Sequence, residues 1–376
     1  MKILLLNPSI NDVSKIKKRI GFIPPLNLLI IASLTPKDFE VKIVDENVEN
    51  IDLEEKADLV GITCMTPAAP RAYYYAKEFR KRGAKVIIGG IHASSLPSEA
   101  LSYADSVCIG EVEAYWKEVL EDFKNGKLKE IYQPSPEYFQ KEFSTPPLER
   151  KLIVEKKYLF PNSLQTTRGC PYNCEFCAVT KFFGNKFRFR KIEEILEEIS
   201  KFKDKKVVFV DDNIIGNKNR AKELFRSIIP YRIKWFSQAS IDIVDDEELL
   251  KLAKLSGCTA LFMGFESLVK ENLEKIGKKV NIARRFEEAI KKLHSYKIYL
   301  TGAFIFGFDF DDEGIIKKTV EFAKKMKLEV AQFGILTPFP GTRIFKKLKE
   351  EGRIFDFNWR NYDISHVVFK PLNFTP

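Results

Sequence analysis

Cys170-Pro-Tyr-Asn-Cys174-Glu-Phe-Cys177 places three thiols within eight residues of one short segment. Thiolates are soft ligands and select iron–sulfur clusters or zinc. Three of them on a cubane of four irons leave one iron open to an exogenous group. Structural zinc takes four protein ligands. No fourth cysteine lies near the loop in sequence, and neither does any of the three histidines, His92, His294 and His366. Clustered bare thiols are an oxidation liability. An incomplete zinc site and unligated thiols therefore stand as the lesser alternatives to an iron–sulfur cluster.

Downstream, polar and small residues recur where apolar runs end: Asp211-Asp212-Asn213, Gln238 and Ser240, Gly264-Phe-Glu266-Ser267, Gly302 to Gly307 around Ile305, and Pro338-Phe-Pro-Gly-Thr342. Each also has a plain structural reading, such as a helix cap at Asp211–Asn213 or strand kinks at Gly302 and Gly307. Their common position at strand ends, where barrel active sites form, sets them apart as a group.

The elements that position these residues form two alternations. In the first 125 residues, apolar runs at 2–8, 41–45, 58–64, 85–90 and 106–110 have the continuous character of buried parallel strands. Helical patterns at 24–34, 68–81 and 113–124 separate them, with Pro24 and Pro25 suited to a helix start. This predicts an α/β fold whose N-terminal part, 1–130, is a Rossmann-like doubly wound parallel sheet. Such sheets bind ligands beyond the carboxyl ends of their strands. Asn7, Ser9, Thr63, Thr66, Gly89, Gly90, His92 and Glu111 fall at those ends. No G-x-G-x-x-G follows the first strand, which argues against a nicotinamide dinucleotide.

The proline-rich stretch 131–160 reads as a linker. Strand patterns then recur at 163–167, 206–211, 233–240, 259–266, 297–308 and 329–336. Helical patterns lie at 191–202, 218–228, 246–255, 282–295 and 313–326. Six βα units are too few for a full eight-unit barrel, so 161–344 is predicted to be a (β/α)6 partial barrel. The remaining 345–376 is an aromatic tail, placed on the substrate side as an expectation.

Composition narrows the classes. Of 376 residues, 45% are hydrophobic and 30% charged, which suits a globular chain. The net charge of +10 is spread among interleaved Lys and Glu, as in KIEEILEEISKFKDKK. That pattern belongs to solvated helix faces and argues against a nucleic-acid surface. No run reaches the ~20 apolar residues of a membrane span, and MKILLLNPS is too short for a signal peptide; a cytoplasmic protein is expected. Cys64, Cys108 and Cys258 sit in apolar runs as small buried hydrophobes.

C-x3-C-x2-C with Phe176 before the last cysteine, preceded by TTRG and opening a six-unit barrel, resembles the radical S-adenosylmethionine superfamily. The resemblance implies a 4Fe–4S cluster on Cys170, Cys174 and Cys177, its open iron chelating S-adenosylmethionine. One-electron reduction of that pair yields a 5′-deoxyadenosyl radical. Contacts to S-adenosylmethionine are then implied at Phe176, Asp211, Asp212, Asn213, Gln238, Ser240, Glu266, Ser267 and Ile305. Asp211-Asp212-Asn213 departs from the family's usual Gly-Gly-Glu at that strand end.

The preceding Rossmann-like part is similar to the cobalamin-binding subfamily, which implies cobalamin at Asn7, Ser9, Thr63, Thr66, Gly89, Gly90, His92 and Glu111. The chain lacks the D-x-H-x-x-G histidine ligand, as that subfamily often does, and His92 fits a hydrogen-bonding loop residue better than a cobalt ligand. GGIHASSLPSEAL, GEVEAYW, FIFGFD and NWRNYDISHVVFKP look like the hopanoid, lipid and tetrapyrrole C-methylase branch. The implied function is methyl transfer to an unactivated carbon of a lipid-like or tetrapyrrole small molecule, with rearrangement or cyclisation as the alternative. An electron donor such as flavodoxin or ferredoxin is also implied. No catalytic side chain beyond the cofactor contacts is singled out.

Overall fold

The computed structural model describes all residues except 14, 15, 17, 18, 141, 154–156, 185, 279, 282–284 and 376. The chain divides into two compact units: Met1–Pro161 with Asn358–Asp363, and Asn162–Phe357 with Ile364–Pro376.

In the first unit, β1 (Lys2–Asn7), β2 (Glu40–Asp45), β3 (Leu59–Thr63), β4 (Lys85–Gly89), β5 (Ser106–Cys108) and β6 (Ile131–Tyr132) form a parallel sheet in the order β2-β1-β3-β4-β5-β6. Strand residues alternate between two cores. Leu4, Leu6, Val60, Ile62, Val86 and Ile88 pack on one face against α2 (Ala69–Lys81). Ile3, Leu5, Leu59 and Ile87 pack on the other against α1 (Leu26–Leu34) and α5 (Trp116–Lys124). Burial on both faces explains the unbroken apolar runs. Between β4 and β5 lie α3 (Ile91–Ser95) and α4 (Pro97–Leu101). β6 lies inside the stretch expected to be a linker. Its two residues are too few to give a periodic signal, and the expected linker also includes residues 141 and 154–156, outside those described.

The second unit carries β7 (Ser163–Leu164), β10 (Lys206–Phe209), β11 (Lys234–Gln238), β12 (Cys258–Glu266), β13 (Tyr299–Phe306) and β14 (Val330–Ile335). They pair in parallel and in simple sequential order. The two end strands are not paired to each other among the described residues, so the barrel is partial, as expected. α7 (Ile192–Ser200), α8 (Lys218–Ile228), α9 (Glu247–Leu255), α11 (Phe286–Ser295) and α12 (Ile315–Lys325) cover the outer face, and the short α10 (Lys270–Lys275) follows β12. The first residues of the helix expected over 282–295 lie outside the described residues. Caps fix several starts: Asn217 accepts from Arg220 N–H at 3.0 Å, and Asp246 accepts from Leu249 N–H at 3.0 Å.

A short antiparallel pair, β8 (Thr167–Arg168) with β9 (Arg188–Phe189), brackets the cysteine segment and was not foreseen. Between them lies α6 (Val179–Phe183). α13 (Arg343–Glu350) straddles the expected start of the tail at 345, whose structure the sequence left open, and the tail also holds an antiparallel bridge, Ile354 to Phe369. Cys64, Cys108 and Cys258 are all buried, as expected. No described helix is long and apolar enough to cross a membrane.

Candidate functional site

The cysteine loop starts at Gly169, whose φ of +85° suits glycine; a Cβ there would lie 2.5 Å from the Lys186 carbonyl oxygen. Cys177 N–H donates to the Cys174 carbonyl at 3.2 Å. Glu175 N–H donates to Ile276 O at 3.1 Å, Ile344 N–H donates to Glu175 O at 3.2 Å, and the Arg343 guanidinium donates to Asn173 O. Loops after β12 and β14 thus hold the cysteines in place. Phe176 is half-buried and packs against the barrel core.

Cys174 is buried, and Cys170 and Cys177 are partly so. Burial pushes all three thiols up, Cys177 to about 12; Cys170 adds to the rise at Cys174, and Cys174 and Cys170 add to it at Cys177. Such thiols ionise when a cationic metal centre replaces their protons. Among the described residues, no three His, Cys, Asp or Glu side chains stand already converged around one metal position. Instead Cys174 and Cys177 line a cleft of about 250 Å³ with Thr180, Lys181, Thr342 and Arg343. Three soft donors with no fourth, beside open volume, fit a cluster that keeps one iron free.

Asp211 and Asp212 follow the end of β10 and behave differently. Asp211 is fully buried and accepts from Thr166 N–H at 2.8 Å, Thr166 Oγ1 at 2.9 Å, Thr167 Oγ1 at 3.0 Å, and Thr167 N–H. Burial pushes its carboxyl up to about 6 against those bonds. The carboxylate is taken up in fastening the threonines that lead into the cysteine loop. Asp212 has a buried Oδ2 with no hydrogen-bond partner. Burial, then the neighbouring Asp211, push its carboxyl up to about 7. Asn213 donates to Ser240 Oγ at 3.0 Å and accepts from Ser240 N–H at 3.2 Å, so the loops after β10 and β11 are joined. Gln238, ending β11, is exposed.

Glu266 closes β12 in a left-handed conformation (φ 65°), where the register with β13 breaks. Its carboxylate is paired with Lys278, which also donates to Gly264 O at 2.9 Å. Burial works against the ammonium, but Glu266 outweighs it and the lysine pKa is raised. Asn281 donates to the carbonyls of Gly264 (2.7 Å) and Phe265 (3.1 Å), leaving its buried Oδ1 without a partner. Ser267 turns inward, accepting from Val269 N–H and Asn272 Nδ2. Ile305 is half-buried on the face of β13 opposite Phe304. Lys278, Asn281 and Arg343 were missed in the sequence, because a lysine in Gly-Lys-Lys or an arginine opening a basic helix looks like ordinary surface.

In the first unit, Asn7 ends β1 with Ser9 just beyond it, and Thr63 ends β3 with Thr66 just beyond it. They flank the point where strand order reverses, which is where open α/β sheets take ligands. Asn7 donates to Asp45 at 2.9 Å, Ser9 N–H donates to Glu46 at 2.9 Å, and Thr63 Oγ1 accepts from Asn27 at 2.8 Å. Gly90 has φ +97°, and a Cβ there would meet Cys64 N at 2.7 Å, while one at Gly89, which ends β4, would meet Cys108 Cβ at 3.4 Å. Glu111 is buried after β5, facing the Tyr138 hydroxyl at 3.4 Å.

His92 is buried. Its Nδ1 lies 3.3 Å from Thr66 Oγ1 and its Nε2 lies 3.1 Å from the Tyr73 hydroxyl. Trp359 packs on the ring and donates to Glu99 at 2.8 Å, while Tyr73 also donates to Glu99. Both ring nitrogens have partners, which favours the hydrogen-bonding role over metal ligation. The polar strand ends at the switch point suit a large ligand such as a corrin, with the His92 imidazole already engaged by Thr66 and Tyr73.

Residues 164–323 match the Radical SAM superfamily and residues 16–120 match the B12 binding domain. The bacteriochlorophyllide d C-12(1)-methyltransferase of Chlorobaculum tepidum is 34% identical, over 92% of this chain and 78% of its own. The hopanoid C-2 methylase of Rhodopseudomonas palustris is 25% identical, over 96% of this chain and 70% of its own. The methyltransferase TsrM from Kitasatospora setae, solved with cobalamin and a 4Fe–4S cluster, shares the fold at a TM-score of 0.77. It is 18% identical and covers 93% of this chain and 78% of that one. The chain belongs to the radical SAM superfamily and is a cobalamin-dependent member of its methyltransferase branch, with a 4Fe–4S cluster, S-adenosylmethionine and cobalamin as its cofactors.

Proposed function

We propose that this chain transfers a methyl group to an unactivated carbon of a large, mainly apolar small molecule of tetrapyrrole or polycyclic-lipid type. The observation that carries the reading is three closely spaced cysteines with no fourth ligand among the described residues, two of which, Cys174 and Cys177, line an open cleft, together with the buried, unpartnered Asp212 oxygen. When bound, the cluster and S-adenosylmethionine supply a primary alkyl radical able to take an unactivated hydrogen, and the corrin carries the methyl group.

The chain's own residues bind and orient. Cys170, Cys174 and Cys177 hold the cluster. Asp211 fixes the Thr166–Thr167 turn from which their loop departs. Asp212 offers its free oxygen to the ammonium of S-adenosylmethionine, a charge-assisted hydrogen bond. Asn213 and Ser240 brace the same wall, and Glu266, held by Lys278, offers a carboxylate to the sugar hydroxyls. Gln238 and Ile305 complete the barrel-side contacts. The strand ends of the first unit, from Asn7 and Ser9 to Gly89, Gly90 and Glu111, receive the corrin. Reduction requires a one-electron carrier of the flavodoxin or ferredoxin kind.

Protein reconstituted without oxygen and supplied with hydroxocobalamin, S-adenosylmethionine and candidate tetrapyrroles or polycyclic lipids tests this. A product heavier by one methylene unit, with the methyl label drawn from S-adenosylmethionine, is expected. S-adenosylmethionine cleavage with an isomeric product would replace methylation by rearrangement or cyclisation.

A further inference from the structure

We infer that the cleft over Cys174 and Cys177 is the docking point for a small acidic electron-carrier protein, and that Lys181 together with α13 forms its positive rim. The inference rests on the cluster assignment above, because it concerns how the electron reaches those sulfurs.

The cleft opens on the two cysteines and is walled by Lys181 on one side and Arg343 on the other, with Glu175 the one carboxylate in its lining. α13 continues the charge with Lys346 and Lys349 against Glu350, while Lys347 approaches Asp309 at 3.7 Å. Some lysines on other helices of this unit are neutralised by glutamates one turn away, as in Lys201–Glu197 and Lys270–Glu274, and others, such as Lys251 and Lys291, are not so paired among the described residues. Here Lys181 and Lys349 are exposed and have no carboxylate partner among the described residues, and Lys346 only loosely approaches Glu350 at 3.8 Å. Arg343 directs its guanidinium to the Asn173 carbonyl of the cysteine loop, so positive charge reaches the loop itself.

Electron tunnelling falls steeply with distance, so a carrier must seat where the sulfurs lie nearest the surface. A positive rim around such a point raises the encounter rate of a negatively charged partner by about 10 to 10³. The transferred unit is one electron: the carrier is oxidised by one, the iron–sulfur centre is reduced by one, and no bond is made or broken at the surface.

The test compares anaerobic reduction of the reconstituted holoenzyme by two donors at low ionic strength, flavodoxin hydroquinone and the methyl viologen radical cation. Lys181→Glu/Lys349→Glu is expected to slow flavodoxin-driven reduction at least ~10-fold, with the gap closing as salt rises. Viologen-driven reduction should stay within about twofold of wild type. Lys251→Glu/Lys291→Glu makes the same change in net charge on α9 and α11 and should leave both rates near wild type. Equal flavodoxin rates in wild type and the cleft variant, or an equal loss in the control, would overturn the inference. If both donors slow together, Lys181→Gln/Lys349→Gln decides: a flavodoxin-specific loss supports docking, and an unchanged rate overturns it. Wild type that viologen cannot reduce at all would instead defeat the cluster assignment.

Discussion

Asp212→Asn separates a ligand-binding carboxylate from a scaffold one, because the two roles predict opposite effects on stability. The folded-state pKa of Asp212 is raised from 3.8 to about 7 by burial and by Asp211. Its ionisation therefore opposes folding. No penalty applies below pH ~4, the penalty grows as pH rises through the window from ~4 to ~7, and it is constant above. Three units at about 1.4 kcal/mol each set a ceiling of about 4 kcal/mol. Since the residue is only partly enclosed, about 2 kcal/mol is the realistic effect.

An asparagine carries no charge and escapes this penalty. Urea unfolding of cluster-free, reduced protein should therefore find the variant more stable than wild type by about 2 kcal/mol near pH 8.5, and close to wild type near pH 4.5. In the reconstituted protein the same substitution should weaken S-adenosylmethionine binding about 10- to 100-fold, the loss of one hydrogen bond to a charged group. A variant less stable than wild type at high pH, or one with unchanged affinity, would refute the reasoning and make Asp212 a structural acceptor.

Other substitutions probe the supports of both sites. Lys278→Met leaves the Glu266 carboxylate buried and alone, and should destabilise the protein by about 3–5 kcal/mol in denaturant titrations; adding Glu266→Gln should recover most of the loss. Gly90→Ala forces a side chain onto a left-handed backbone against Cys64, and is expected to cost about 2 kcal/mol or more and to abolish cobalamin retention, read from the corrin absorbance after gel filtration. Trp359→Phe keeps the ring over His92 but removes the bond to Glu99, for a loss of about 1–3 kcal/mol in thermal or urea unfolding.

The parts of the fold legible in the sequence were those encoded locally. The C-x3-C-x2-C spacing and the uninterrupted apolar strands of both sheets need no knowledge of distant residues. The β8–β9 pair and β6 escaped notice because two-residue strands have no period. In the site, sequence order could not tell Asp211 from Asp212: which carboxylate bonds Thr166 and Thr167 depends on residues some forty-five positions earlier in the chain. Ser267 likewise carries the right residue type but turns into its own loop. Lys278 is found only when the chain folds back twelve residues beyond Glu266, and in sequence it is one of two adjacent lysines. The His92 network draws on Trp359, more than two hundred and fifty residues away, which no local pattern reveals.

The central claim is a cluster held by three thiolates, and iron and sulfide analysis after oxygen-free reconstitution tests it most directly. About four irons and four sulfides per chain are predicted for wild type, with loss of the cluster's absorbance in each of Cys170→Ala, Cys174→Ala and Cys177→Ala. Iron at or below background in wild type, or full iron loading in all three variants, would contradict the account.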